Sequence, residues 1–298
     1  MSEAQSPRAL QLFTDRDDQR AVIEQFLARV RAGNAHQQPG VLSFHGVGGV
    51  GKSTLRQKAL ADFCAGLKGD HYDIRPFAIA ELDLDTDSVN PAMPIPQILG
   101  RVRNALRKAD LSTPLFDYLY LVWWSEENPG QPIKLKRQAG NDGLTGGLLD
   151  VADLAANLAS VFGVGLPSTG LAKGVHKLFP KIGDWFAETR ARARFDGSPS
   201  GWPQRERVEN MPAMLALDLL ETLHRQPQTA ICLVIDGFER VQSRASQTDA
   251  QWALAMLVGE VLRCGDCLPP PDGKPLRGRT GFLLFGRETL RWADLYRR

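Results

Sequence analysis

No excess of charge of either sign runs through this sequence: 36 lysines and arginines face 34 aspartates and glutamates, for a formal net charge of +2. Without such an excess there is no general electrostatic pull toward nucleic acid or anionic lipid, and either partner would need a local basic patch. Cysteine is scarce as well: Cys64, Cys232, Cys264 and Cys267 are the only four. The last two form "CGDC", which supplies at most two of zinc's four ligands, with no histidine nearby and no thioredoxin-like strand before it. These thiols read as reduced and non-functional in a loop, with half of a metal or redox site as the alternative. The N-terminus, "MSEAQSPRALQLF", lacks the charged start, apolar run and small-residue cleavage site of a secretory signal, so a cytoplasmic chain is expected.

Uninterrupted apolar runs of membrane length are also missing. "GGLLDVADLAANLASVFGVGL" comes nearest, yet it contains Asp150, Asp153 and Asn157, and each carboxylate would be costly in lipid. A soluble helical insertion over about residues 136–204 is the simpler reading, and His176 within it reads as a surface or packing residue. What is present is an ordinary globular composition, 43% hydrophobic and 23% charged, enough for one large domain or about two average ones.

Apolar spacing organises the rest. Thr14–Arg31 carries a helix-start pattern, Thr14 and Asp17 being spaced as a capping box ahead of a stripe through Ile23, Phe26, Leu27 and Val30. "VLSFH" reads as a buried strand. A glycine-rich loop follows, then a helix with Leu60, Phe63 and Leu67 on one face. "RPFAIAELDLD" predicts the next strand, and the prolines of "NPAMPIPQ" separate it from a basic helix near Ile98–Lys108. "LFDYLYLVWW" predicts an aromatic helix. "TAICLVIDGF" and "TGFLLFGRE" are continuous apolar runs of the kind found in central parallel strands, with "DAQWALAMLVGEVL" as the covering helix between them. Alternating strands and helices give an α/β fold with a mostly parallel central sheet.

The loop has a specific signature. "GVGGVGKS", Gly46 to Ser53, satisfies G-x-x-x-x-G-K-[ST] and lies between a predicted strand and a predicted helix. Glycines let the backbone turn its N–H groups inward onto phosphate oxygens, and the helix N-terminus adds a favourable dipole. Gly46, Gly48, Gly49, Val50, Gly51, Lys52, Ser53 and Thr54 are therefore the candidate nucleotide contacts. Lys52 would neutralise the β- and γ-phosphates, and the Ser53 hydroxyl would ligate Mg²⁺. Asp236, after the apolar run of "ICLVIDGFE", is the candidate second metal residue, since a carboxylate there is expensive unless it serves a metal or a cap. Glu239 is placed to position an attacking water, and Arg287 to contact the γ-phosphate. No NKxD-type motif follows, which argues against a GTPase.

These segments resemble the STAND class of signal-transducing P-loop ATPases, which includes the NACHT and NB-ARC families. "FHGVGGVGKSTL" is similar to their phosphate loop. "LVIDGFERV" is similar to the NACHT form of the second motif, where a small residue follows the magnesium aspartate and an acid comes two positions later. "LLFGRE" resembles the sensor 1 strand, and "FTDRDDQ" resembles the short motif lying against the base, which adds Phe13 and Arg16 to the adenine pocket. "LFDYLYLVWWSEENP" is similar to a segment of large bacterial members. The resemblance implies a P-loop NTPase fold, with residues 1–40 an N-terminal helix and 41–298 a nucleotide-binding domain interrupted by the insertion. It further implies an ATP/ADP and Mg²⁺ switch that hydrolyses slowly, is an ADP-bound monomer at rest and an ATP-bound homo-oligomer when active, and serves bacterial antiviral defence or regulation. The family's winged-helix and second-sensor regions, and the part that reads a trigger ligand, have no counterpart here, which would make the chain the N-terminal portion of a longer protein. The competing expectation is a conventional P-loop enzyme such as a motor on nucleic acid. The basic runs "RARARFDG" and "RWADLYRR" are interspersed with Ala and Asp rather than stacking aromatics, and read instead as solvated faces.

Overall fold

A computed structural model describes residues 16–34, 40–46, 51–69, 77–85, 89–128, 201–242, 248–267 and 275–288. Among them are four strands, β1 (Val41–His45), β2 (Phe77–Asp83), β3 (Ala230–Asp236) and β4 (Thr280–Gly286), and six helices. The helices are α1 (Asp17–Arg31), α2 (Lys52–Gly69), α3 (Ile95–Lys108), α4 (Pro114–Glu127), α5 (Gln204–Arg225) and α6 (Asp249–Cys267). All strand pairs are parallel, in the order β1-β4-β3-β2, so the last strand in sequence sits between the first and the third.

Period-two alternation divides the two cores. Cys232 and Val234 of β3 and Leu283 and Phe285 of β4 face α1 and α2, packing with Ile23, Phe26, Leu27, Val30, Leu55 and Leu60. Ile231, Leu233 and Ile235, with Phe282 and Leu284, face the larger core built with α3 to α6. The division follows from handedness. The β1–α2–β2 connection runs one way along the sheet and those to β3 and β4 run back, so right-handed crossovers require opposite faces. Both central strands are buried at every residue, as their apolar runs predicted. The strand predicted over "VLSFH" is instead half-covered, with Ser43 and His45 exposed, because β1 has only β4 as a neighbour in the described sheet.

Three further expectations need correction. The first helix begins at Asp17 with Arg16 at its N-cap and no side-chain cap bond, while Thr14, expected at the cap, lies outside the described residues. The basic helix begins at Ile95 rather than Ile98, because Pro96 falls in its first turn, where a missing N–H costs nothing. "CGDC" is not a loop: it completes α6, where the Cys264 thiol is buried and donates to Glu260 Oε2 at 3.4 Å. The expected insertion at 136–204 lies almost wholly outside the described residues, as does His176. No described helix is long and apolar enough to cross a membrane.

Helix α4 is apolar around most of its circumference and accordingly buried from Pro114 through Val122. Polar bolts fix it. Asp218 of α5 accepts the backbone N–H groups of Leu115 (3.1 Å) and Phe116 (3.0 Å), satisfying two donors that a helix N-terminus leaves open. Burial holds the Asp218 carboxyl well above the usual carboxylate range despite these bonds. Arg103 of α3 grips both oxygens of Asp117, each at 2.9 Å, and the Thr113 hydroxyl donates to the same carboxylate at 3.1 Å.

Candidate functional site

Parallel strands end on one edge of the sheet, and this edge collects the predicted residues. Register places His45 beside Gly286 and Asp236 beside both Phe285 and Asp83. Gly46, Arg287, Gly237 and Leu84 therefore leave the sheet side by side. Gly46 follows β1, and α2 begins with Lys52, Ser53 and Thr54. Residues 47–50, which include the predicted contacts Gly48, Gly49 and Val50, lie outside the described residues, as does Phe13.

The flanks of the loop are tied together. The Lys52 ammonium donates to the Gly46 carbonyl at 2.7 Å, closing the turn from its far end. Gly51 has φ of 77°, a left-handed conformation that glycine adopts without penalty. One residue past Lys52, the Ser53 hydroxyl lies beside the Asp236 carboxylate and helps draw its pKa down, so the helix start and the end of β3 meet here. Asp236 is buried; desolvation raises its pKa above the ordinary value, while Arg56, the Ser53 hydroxyl and the Gly237 N–H draw it back down.

A second pair lies next to this one. After β3 the chain turns at Gly237, with φ of 75°, and its N–H donates to the Phe285 carbonyl at 2.9 Å. A side chain at Gly237 would approach the Asp85 carboxyl to 3.3 Å, so strain and crowding both favour glycine. The following 3₁₀ turn, Phe238–Arg240, presents Glu239 toward the end of β4. Glu239 accepts the Arg287 backbone N–H at 3.0 Å and lies 3.3 Å from Arg287 Nε. Contact between the two depends on Gly286, where a Cβ would fall 2.4 Å from the buried Phe238 ring.

The structure thus brings Lys52, Ser53 and Asp236 together, and pairs Glu239 with Arg287. Arg16 is not brought in: it stands at the N-cap of α1, and among the described residues its side chain makes no polar contact with the loop flanks. One residue that sequence reading missed is Arg56. One turn after Ser53, its side chain is 6% exposed and points at three carboxylates, Asp236 (3.6 Å), Asp83 (3.9 Å) and Glu81 (4.0 Å). An arginine four residues after the loop lysine reads as a solvated helix position; only the alternation of Glu81 and Asp83 on one face of β2 hinted at a cation opposite.

As to metal, no group of three or more His, Cys, Asp or Glu is arranged to hold an ion among the described residues. Ser53 and Asp236 nevertheless fit Mg²⁺, a hard cation that takes one or two protein oxygens and completes its shell with water and phosphate. Compared with known proteins, the chain matches no family model, no curated protein and no solved structure. The basic runs at 190–197 and 291–298 lie outside the described residues.

Proposed function

We propose that this protein is an ATP- and ADP-binding switch of the STAND kind, built on a P-loop NTPase fold, whose nucleotide state controls its association with further copies. The observation that carries the reading is the meeting, at one edge of the parallel sheet, of Ser53, the residue after the loop lysine, with Asp236, the acid that ends β3. Lys52, held over Gly46, would turn its ammonium to the β- and γ-phosphates. Ser53 and Asp236 would hold Mg²⁺, which supplies charge neutralisation between phosphates when bound. Arg287 would choose between two anions, Glu239 and a γ-phosphate. Drawn to the phosphate, it would free the Glu239 carboxylate to orient a water, which links hydrolysis to the state of β4's end. A setting in bacterial antiviral defence or regulation, and a trigger read by another part of a longer chain, follow from the resemblance alone.

The test is to purify the protein without added nucleotide, denature it and identify what is released by chromatography. Near-stoichiometric ADP is expected. No adenine nucleotide released, together with no thermal stabilisation by added ATP or ADP, would overturn the reading. Glu239→Gln is expected to keep nucleotide binding and slow phosphate release by about 10²-fold, the order of a general-base contribution; unchanged turnover would remove Glu239 from the role.

A further inference from the structure

Arg56 and Arg103 are both buried arginines facing carboxylates, and they behave differently. Arg103 closes on Asp117 with two bonds of 2.9 Å, as a structural pair does. Arg56 is 5% exposed as a residue, yet its nearest carboxylate oxygens stand at 3.6, 3.9 and 4.0 Å, and among the described residues its Nε and Nη1 have no hydrogen-bond partner. Leaving buried donors unmatched is costly, and fork geometry would allow closure on any one of the three acids. Glu81 and Asp83 are partly exposed and screened by water, whereas Asp236 is buried and is the acid nearest to Arg56.

Resting on the nucleotide reading above, we propose that Arg56 is a built-in counter-ion for Asp236 that keeps a free divalent cation out of the empty site, so that Mg²⁺ enters only with nucleotide phosphates. Arg56 is a positioning residue in this scheme. It holds the metal carboxylate without capturing it, repels a bare cation across a few ångströms of poorly screened interior, and keeps Asp83 and Glu81 as its own partners once Asp236 turns to the metal. Phosphate charge arriving with the cation offsets the repulsion.

Thermal melts in millimolar Mg²⁺ without nucleotide test this. The wild-type midpoint is expected to stay within about 1 °C, whereas Arg56→Gln is expected to gain about 3 °C or more from Mg²⁺ alone. Arg56→Lys keeps a charge at the position and is expected to behave like wild type. A purely structural arginine would lower every melt without creating a Mg²⁺-dependent rise, which would overturn the proposal, as would wild type responding to Mg²⁺ alone as strongly as the variant. Should Arg56→Gln fail to fold, calorimetric titration of Mg²⁺ into wild type carries the test: binding at millimolar Mg²⁺ without nucleotide would overturn the proposal. Melts with Mg-ADP run alongside separate the two levels. Stabilisation of wild type by Mg-ADP with no Mg²⁺ response in the variants removes only the role of Arg56, whereas no response to Mg-ADP in any form removes the nucleotide reading and this proposal with it.

Discussion

Lys52→Ala is expected to abolish nucleotide binding. Two charge-assisted contacts to phosphate, at about 1.5–3 kcal/mol each, would be lost, which is about 10² to 10⁴ in affinity. The ammonium also clamps the Gly46 carbonyl at 2.7 Å, so the variant loosens the loop as well as removing its charge. A fluorescent-nucleotide titration reads the effect directly, and far-ultraviolet dichroism checks that α2 remains. Unchanged affinity would mean that this loop does not hold phosphate, whatever its motif.

The largest loss of stability is expected from Arg103→Met. It strands the Asp117 carboxylate, which is 0% exposed, without its bidentate partner, and breaking one side of such a pair costs about 3–5 kcal/mol. Urea unfolding should show the midpoint falling accordingly. Arg103→Met/Asp117→Leu should recover most of the loss, because well-packed apolar replacements of a buried pair are often neutral. A single-variant loss under about 1 kcal/mol would show that α3 and α4 are held together by packing alone.

Sequence reading succeeded where a signal was local. β3 and β4 were legible because seven consecutive residues of each are buried on both faces, leaving an apolar run with no polar alternation to confuse it. The strand and the helix on either side of the glycine-rich motif were legible because the motif marks where one ends and the other begins. What failed was long-range or masked by a local breaker. Helix α5 went unread because Pro212 lies inside it, yet the helix continues through Arg225 with Met211, Met214 and Leu215 buried around the proline. "CGDC", expected in a loop, ends α6 instead, and its Gly265 is there for closeness: a Cβ would stand 2.8 Å from the Arg277 backbone nitrogen, so α6 passes tightly against the approach to β4. Arg56 and Asp218 were invisible because their partners, Glu81 and Asp83 in one case and the start of α4 in the other, are remote in sequence.

The strand order has a consequence for how the molecule is made. Val41 of β1 pairs with Phe282 of β4, and the same strand pairs Leu233 of β3 on its other side. During synthesis β1 therefore emerges early and waits for β4 before it has a neighbour in the described sheet. Until then β1 and β3 each show an unpaired edge, the kind of surface that invites pairing with another chain. Such distant contacts also slow closure of the sheet. The flank that carries Lys52 and the Asp236 carboxylate, on strands that are not neighbours in the described sheet, reach their common edge only when β4 slides between them, so a chain stalled before Thr280 should bind no nucleotide and should be a target for chaperones.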